Sequence, residues 1–270
     1  RVRCGVTMPL FVVATPIGNL EEASPRMRKV LSEADLVLCE DTRRTRTLFS
    51  ALDLTSPKLV SCHAHNERGR IDEVLKRLDR DETIALVSDA GMPGLSDPGG
   101  PIVAAVHAHG GSVHVVSGPS SVTAAIAVAG FSATPFHFLG FPPRKSSALR
   151  KMLVDSSALP GVLVFLESGR RVGAFIEMVA ELMPEREAVI GRELTKRFEE
   201  VIRGSVVDLP RTEQRGEVVV VIGPGEAIEA AQKDVGPDLK AIAAALGERW
   251  GCSKREAYNA LLALETERKG

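Results

Sequence analysis

Short apolar runs alternate with helical stretches through the first half of the chain. Leu10–Ala14 is continuously apolar, which is typical of a strand that is buried on both faces of a parallel sheet. Strands that alternate with helices predict an α/β fold with a mostly parallel sheet. The five predicted strands are Leu10–Ala14, Leu36–Cys39, Lys58–Cys62, Thr83–Val87 and Ser112–Val116. The predicted helices are Pro25–Ser32 (capped by Ser24), Arg70–Leu78, Pro101–His109 and a small-residue helix from Ser121 to Ala129.

The second half of the chain predicts a mixed sheet and a basic helix near Ser147–Val154. A turn at Ala133–Pro135 separates the two halves, so we expect domains at 1–133 and 134–225. A Gly/Asp-rich linker then leads to a small helical tail at 237–270. The predicted strands are Phe136–Phe141, Val162–Leu166, Ala188–Gly191, Glu200–Ile202 and Val218–Ile222, and the predicted tail helices are Pro237–Leu246 and Ser253–Leu264.

Composition narrows the class of protein. The 270 residues carry 34 Lys and Arg against 35 Asp and Glu, a net charge of −1 that excludes a protein basic overall. A local basic patch would still suffice for phosphate contacts. The widely spaced Cys4, Cys39, Cys62 and Cys252 argue against a zinc ribbon or a disulfide scaffold and fit a reduced cytoplasm. No apolar run approaches the ~18 residues that span a bilayer, and none resembles a secretory signal. We therefore expect a cytoplasmic protein without a membrane segment.

Polar or Gly-rich loops follow each predicted strand of the first half. In open parallel sheets, ligands bind in a crevice at the carboxyl ends of the strands. The shared placement of these loops therefore predicts a binding site there, although turns contain Gly, Pro and Asp in any protein. The loops are Thr15–Asn19, Glu40–Arg44, His63–Glu67, Ser88–Gly100 and Ser117–Thr123.

Several familiar sites are excluded by their missing motifs. The chain has no G-x-G-x-x-G and no G-x4-G-K-[ST], which disfavours a dinucleotide fingerprint and a P-loop. His63, His65 and Glu67 lack a further ligand at metal-binding spacing, so no metal site is predicted. No G-x-S-x-G elbow occurs, which disfavours a hydrolase triad.

Basic residues cluster at or soon after several strand ends. Any one cluster is ordinarily solvated surface charge, but several on one rim would bind phosphate. Phe136, Phe138 and Phe141 lie near Arg144 and suggest either base stacking or core packing. The clusters are Arg43, Arg44 and Arg46; Arg144 and Lys145; Arg150 and Lys151; Arg170 and Arg171; and Arg192, Lys196 and Arg197.

The loops, taken in order, resemble the ribosomal RNA small subunit methyltransferase I family, the cytidine 2′-O-methyltransferases of the tetrapyrrole-methylase superfamily. The resemblance extends from about residue 10 to 223. Met92 replaces a more usual Thr, and Gly169 stands where His or Pro often precedes the Arg. The matching segments are Ala14–Leu20, Ala34–Leu36, Cys39–Arg43, His63–Glu67, Ala85–Pro93, Ser96–Gly99, Gly118–Pro119, Phe165–Ser168 and Arg192–Lys196.

The resemblance implies a fold and a cofactor. The fold is the two-domain tetrapyrrole-methylase fold, with a parallel-sheet amino-terminal domain and a mixed-sheet carboxy-terminal domain, in a homodimer. S-adenosylmethionine would be the methyl donor, bound between the two domains. The residues that the resemblance implies for its binding are Ile17, Gly18, Asp89, Met92, Ser120, Ser121, Thr123, Ala124, Leu166, Arg192 and Val221.

The implied substrate is 16S ribosomal RNA or the small ribosomal subunit. A ribose 2′-hydroxyl must lose its proton during methylation, and the candidates to assist are Glu40, Asp41, His65, Glu67, Glu167, Glu193 and Lys196. We favour Glu167 and Glu193, at strand ends of the second domain, with Lys196 completing the catalytic set. The residues expected to contact RNA are Arg43, Arg44, His65, Glu67, Arg144, Lys145 and Arg170.

Three alternatives stay open at this point. A tetrapyrrole or diphthine-type methylase would use the same cofactor cleft without a basic RNA rim. A non-catalytic RNA-binding protein would account for the basic clusters and for the helix at Ser253–Leu264. A dinucleotide oxidoreductase is disfavoured by the missing glycine fingerprint.

Overall fold

The structure is a computed structural model that describes residues 9–213, 215–228, 243, 246 and 252–260. The chain divides into two compact units, Arg1–Gly225 and Glu226–Gly270. In the second unit, residues 254–260 are helical, within the predicted helix Ser253–Leu264. Most of the predicted helix Pro237–Leu246 lies outside the described residues.

A five-stranded sheet occupies the first half of the first unit. Its order is β3-β2-β4-β1-β5, and every pair in it is parallel, which confirms the prediction. Its strands are β1 (Leu10–Val13), β2 (Leu36–Cys39), β3 (Lys58–Ser61), β4 (Ile84–Leu86) and β5 (Val113–Val116). The helices that follow them are α1 (Pro25–Glu33), α2 (Thr42–Ala51), α3 (Glu67–Leu78), α4 (Gly100–Ala108) and α5 (Ser121–Ala129), with one 3₁₀ turn at Leu20–Glu22.

Helices cover both faces of this sheet. Met27 of α1 and Phe49 of α2 pack on one face, and Val74 of α3 and Ile102 of α4 pack on the other. Burial on both faces explains why the strands are short and apolar. At the start of α1, the predicted cap is present, since Ser24 Oγ accepts from the Met27 backbone N–H at 3.1 Å.

The α2 helix was not predicted from the sequence, which places Glu40–Arg44 in a loop. Its opening residues, Thr42 to Thr47, are polar or charged and carry no apolar repeat. The helix starts because an Asp41 carboxylate oxygen accepts from the Arg43 backbone N–H at 2.8 Å. It is then held by burial of Thr45 and Phe49.

The second half of the first unit forms a mixed sheet of order β6-β7-β10-β8-β9. Only β6 and β7 are parallel, and the other pairs are antiparallel. Its strands are β6 (Phe136–Gly140), β7 (Val162–Ser168), β8 (Glu187–Arg192), β9 (Glu200–Ser205) and β10 (Glu217–Ile222), and its helices are α6 (Ser146–Ser157) and α7 (Gly169–Leu182).

The α5 helix connects the two sheets. It follows the last strand of the parallel sheet, yet Val122, Ala125 and Ala129 pack against Val164 and Val221 of the mixed sheet. This packing brings the strand-end loops of the first sheet to the second sheet. The predicted domain boundary, at 133/134, falls between α5 and β6 and stays a prediction.

Across the described part of the chain, no helix has the length and apolar character needed to cross a bilayer.

Candidate active site

One cavity of about 390 Å³ is lined by loops from both sheets. This volume lies within the range of roughly 300–1,000 Å³ that is usual for ligand pockets. The first sheet contributes Ile17, Glu40, Arg44, Asp89, Ala90, Gly91, Met92, Leu95, Ser96, Asp97, Ser120, Ser121 and Val122. The second sheet and its loops contribute Phe141, Leu166, Glu167, Gly191, Glu193, Leu194, Lys196, Glu217, Val218 and Val219.

Many of the predicted site residues meet in this cavity. All three predicted catalytic residues (Glu167, Glu193 and Lys196) line it. The predicted cofactor residues that line it are Ile17, Asp89, Met92, Ser120, Ser121 and Leu166. Arg44 lines it as well, together with a wider adjoining cavity that also contains Arg43 and His63.

Other predicted residues lie outside the cavity lining. Val221 is buried in the core of the mixed sheet, and the Arg192 side chain pairs with Glu200 at 2.9 Å. Thr123 Oγ1 donates to the carbonyl of Ser120 at 3.2 Å, and Ala124 packs against the core of the second sheet. The remaining residues outside the lining are Gly18, His65, Glu67, Arg144, Lys145 and Arg170.

Backbone hydrogen bonds join the loops after β1 and β4. Thr15 and Gly91 exchange two of them, at 2.9 and 3.0 Å. Gly91 has φ = 82°, a left-handed conformation that favours glycine. The hydroxyl of buried Ser88 lies 3.3 Å from the carbonyl oxygens of Ala90 and Gly91. Ile17 and Met92 are thereby presented to the cavity from two joined loops.

Acidic side chains dominate the charge of the lining. Asp89 accepts from the Asp41 backbone N–H and from the Arg44 guanidinium, both at 3.1 Å. Burial, and then the charge of Asp89, raise the pKa of Glu40. Burial, and then the charge of Glu40, raise the pKa of Asp97 to about 6. The lining has six acidic residues (Glu40, Asp89, Asp97, Glu167, Glu193 and Glu217) against the two basic residues Arg44 and Lys196. Such a cavity favours a ligand with positive charge.

Glu167 is the buried carboxylate of the site, with its side chain 1% exposed. Its Oε1 accepts from the Ser168 backbone N–H at 2.7 Å. Its Oε2 lies 3.1 Å from Nη2 of Arg171 as an ion pair, yet accepts no hydrogen bond from any described residue. Glu167 lines the cavity, and a carboxylate there can accept a proton from a ligand.

Glu193 and Lys196 form a hydrogen-bonded group with Glu217. Lys196 Nζ donates to Glu193 at 2.9 Å and to Glu217 at 2.8 Å, and Glu193 also accepts from the Glu217 backbone N–H at 2.9 Å. That backbone bond, and then Lys196, lower the pKa of Glu193. Burial lowers the pKa of Lys196, but its bonds to Glu217 and Glu193 outweigh this, so the net pKa is raised. The pair is therefore charged at neutral pH.

Gly18 lies directly beneath the Lys196 side chain. A Cβ on Gly18 would overlap Cγ of Lys196 and lie 2.9 Å from its Cε. The loop after β1 and the loop after β8 therefore touch at this position, and a larger residue at Gly18 would displace the Lys196 side chain. Gly18 acts at the site through this contact.

Glu67 contacts the loop after β4 from outside the cavity. Its Oε2 accepts from the Gly99 backbone N–H at 2.7 Å, immediately before α4. Gly99 has φ = 124°, and a Cβ there would lie 3.4 Å from Leu86 Cδ1 and closer still to Cδ2. Glu67 thus holds the end of the loop that carries Asp97.

Sequence reasoning assigned no site role to several lining residues, among them Leu95, Asp97 and Glu217. It left Phe141 open between base stacking and core packing. Asp97 belongs to the Gly/Pro-rich loop after β4, which already predicts a ligand contact, so its position was the available signal. Leu95 carries no local signal, because an apolar residue in a loop is ordinarily assigned to the core. Within the described residues, no cluster of His, Cys, Asp and Glu fits a metal ion.

Comparisons with known proteins agree with this architecture. A sequence profile of the Tetrapyrrole (Corrin/Porphyrin) Methylases matches residues 9–210. Ribosomal RNA small subunit methyltransferase I of Leptospira biflexa serovar Patoc is 43% identical over 193 residues, covering 72% of this chain and 80% of that protein. The protein of the same name from Mycobacterium tuberculosis (strain CDC 1551 / Oshkosh) is 37% identical over 276 residues, covering 97% of each chain.

A solved structure shares the fold. The uroporphyrin-III C-methyl transferase from Thermus thermophilus, complexed with S-adenyl homocysteine, superposes with a TM-score of 0.54 at 20% identity. The match covers 80% of this chain and 97% of that one. The profile and the two relatives show that the chain belongs to the ribosomal RNA small subunit methyltransferase I family of the tetrapyrrole methylases.

Proposed function

We propose that this protein uses S-adenosylmethionine to methylate the 2′-hydroxyl of a cytidine in 16S ribosomal RNA. The observation that carries the proposal is a cavity lined by strand-end loops of both sheets, in a chain of this family. The relatives are named for the RNA of the small ribosomal subunit, which supports that substrate.

The charge and the chemistry of the cavity lining suit S-adenosylmethionine. That molecule has a sulfonium and an ammonium group, and six acidic residues against two basic ones line the cavity. Ile17, Met92 and Leu166 offer apolar surface for an adenine ring, and Asp89 with Ser120 and Ser121 offers acceptors and donors. Gly18 contacts Lys196, Thr123 bonds to the Ser120 carbonyl, and Ala124 and Val221 pack in the cluster that includes Leu166. Arg192 is proposed to act through its neighbours Gly191 and Glu193, which line the cavity. When bound, S-adenosylmethionine supplies an electrophilic methyl group on sulfur.

We assign the proton acceptor to Glu167. Its Oε2 has no hydrogen-bond donor within the described chain, whereas Glu193 accepts from two donors and has a lowered pKa. Lys196 is held protonated and cannot accept a proton. Glu193 and Lys196 instead fix the wall between the loops after β1 and β8.

Exposed basic side chains are proposed to hold the RNA backbone. Arg43 and Arg44 line the wider cavity that adjoins the site. Arg144, Lys145 and Arg170 are exposed, as is His65. Arg and Lys contacts to phosphates would position the RNA without reading its sequence. Glu67 contributes indirectly, through its hold on Gly99.

We further propose that the enzyme acts in the cytoplasm as a homodimer on 16S RNA or the small subunit. The 1–133 and 134–225 domains would then close on the cofactor. A tetrapyrrole substrate is the weaker candidate, because the relatives that match most of this chain are named for ribosomal RNA.

Methyl transfer from labelled S-adenosylmethionine tests the function. We expect label in a 2′-O-methylcytidine of small subunits taken from cells that lack the protein, located by mass spectrometry of RNA fragments. Transfer to a corrinoid and none to RNA or subunits would contradict the proposal.

Glu167→Gln tests the assignment of the proton acceptor. Removal of a general base typically costs about 10²–10⁴-fold in rate, so turnover should fall by that amount while cofactor affinity, measured by calorimetry, stays unchanged. Glu177→Gln is the matched control, because Glu177 is exposed on α7, away from the cavity. Loss of cofactor binding, or full turnover, in Glu167→Gln would contradict the assignment.

A further inference from the structure

An exposed aromatic ring stands at the wall of the active-site cavity. Phe141 lines the cavity and is 62% exposed, and Leu95, which also lines it, is 45% exposed. All nine phenylalanines of the chain lie in its described part, and Phe141 is the one that lines the cavity. Large apolar side chains that stay exposed beside a polar cavity mark a surface that a ligand covers.

The backbone around Phe141 is held on both sides. Gly140, just before it, has φ = 66°, and a Cβ there would lie 3.3 Å from Ser96 Oγ, so this turn touches the loop that carries Leu95. After it, the carbonyls of Pro142 and Pro143 accept from Arg171 Nη2 at 3.1 and 3.3 Å.

The same guanidinium nitrogen forms the ion pair with Glu167. Arg171 therefore binds both the proposed proton acceptor and the backbone that directly follows Phe141. The two prolines and these contacts restrict the backbone, so Phe141 would lose little conformational entropy on binding a ligand.

The surroundings of Phe141 distinguish it from the other phenylalanines near it and from the other exposed ones. Phe138 packs into the core of the second sheet. Phe136 is 48% exposed but lies outside the cavity lining. Phe198 is exposed to a similar extent, 66%, but lies outside the cavity, with Arg197 over its ring. Beside Phe141, the chain continues into exposed Arg144 and Lys145. A planar apolar ring next to cations suits a nucleobase with its phosphate.

We propose that Phe141 is the stacking platform for the base of the nucleotide that is methylated, with Leu95 supplying further apolar surface. The inference rests on the proposed RNA substrate and names the residue that holds its base. Single-stranded bases are commonly read by stacking on aromatic side chains, which accept any base and act with hydrogen bonds elsewhere. The platform holds the nucleotide in the cavity, so its effect is on RNA binding.

Steady-state kinetics on small subunits test the platform with four variants. Loss of one base–aromatic stack should raise KM for the subunit by roughly 5- to 150-fold in Phe141→Ala. The affinity for S-adenosylmethionine, measured by calorimetry, should change by no more than about twofold. A change of that size is well below the change expected from loss of one stacking contact. Phe141→Trp should keep the KM of the native protein, and Phe141→Leu should resemble Phe141→Ala. Phe198→Ala is the matched control and should behave like the native protein.

Two outcomes would overturn the platform. If Phe141→Leu restores KM as fully as Phe141→Trp, the contact is apolar packing without stacking. If Phe141→Ala changes the oligomeric state in light scattering, the ring belongs to an interface between copies of this chain.

A fluorescence titration separates this inference from the proposed function. A cytidine-containing single-stranded oligonucleotide should quench the added indole of Phe141→Trp beyond the quenching of the native protein. Quenching without methyl transfer to RNA would support base stacking on the residue at position 141 and contradict the proposed reaction. Methyl transfer without quenching or a change in KM would contradict the platform alone.

Discussion

Gly173→Ala separates what helix propensity predicts from what packing in this structure permits. Gly173 lies inside α7 and is buried. In a helix, alanine is favoured over glycine by about 1 kcal/mol, so propensity alone predicts a more stable protein. A Cβ at this position would however overlap the backbone carbonyl oxygen of Arg211 and lie 2.6 Å from its carbonyl carbon. It would also lie 3.2 Å from the carbonyl carbon of Thr212.

Side-chain rotation cannot relieve this overlap, because the neighbouring atoms are backbone. Either α7 or the segment at Arg211 must move, and overpacking of this kind costs about 1–3 kcal/mol or more. Taking the upper part of that range and subtracting the gain in propensity of about 1 kcal/mol leaves a net loss of about 2 kcal/mol. The melting temperature should fall by roughly 4–8 °C.

Gly69→Ala is the matched control. Gly69 lies in α3 and is exposed, and a Cβ there would meet no atom within 4 Å. This variant should gain about 0.5–1 kcal/mol from propensity. Thermal and urea unfolding, followed by circular dichroism, would measure both variants. If Gly173→Ala proves as stable as Gly69→Ala, the backbone overlap does not govern the stability of α7.

The loop after β4 supports two further predictions. The folded protein raises the pKa of Asp97 to about 6, so stability from this group is present in acid and is lost as pH rises through 6. Asp97→Asn should therefore stabilise the protein by about 1 kcal/mol at pH 7.5, after a discount for solvent screening, and by less at pH 5. Melting temperatures at the two pH values would measure this, and an equal gain at both would contradict the shift. Glu67→Ala leaves the Gly99 N–H without its acceptor and should lower the free energy of unfolding by about 1–3 kcal/mol. Glu67→Gln keeps an acceptor and should recover most of this loss. Equal losses for both variants in urea unfolding would contradict this role.

Most of the strands and the loops after them could be predicted from the sequence, because both have local causes. Leu36–Cys39 was predicted with its observed bounds, since a short apolar run between polar segments suits a doubly buried strand. The α7 helix was assigned no structure, although Val172, Phe175, Ile176 and Val179 have helical spacing. The α2 helix had no such pattern and depends on its cap and on burial.

The tertiary structure alone decided which loop residues face one another. Ordering the loops along the chain predicts a shared edge of the sheet, but the packing of α5 on the mixed sheet determines that Asp89, Ser120 and Glu167 line one cavity. It also decided that Phe141 is exposed while Phe138 packs into the core, although they lie three residues apart on a similar apolar segment. Local propensity and periodicity depend on neighbours in sequence, whereas burial, pKa and shared walls depend on atoms that are distant in sequence and close in space.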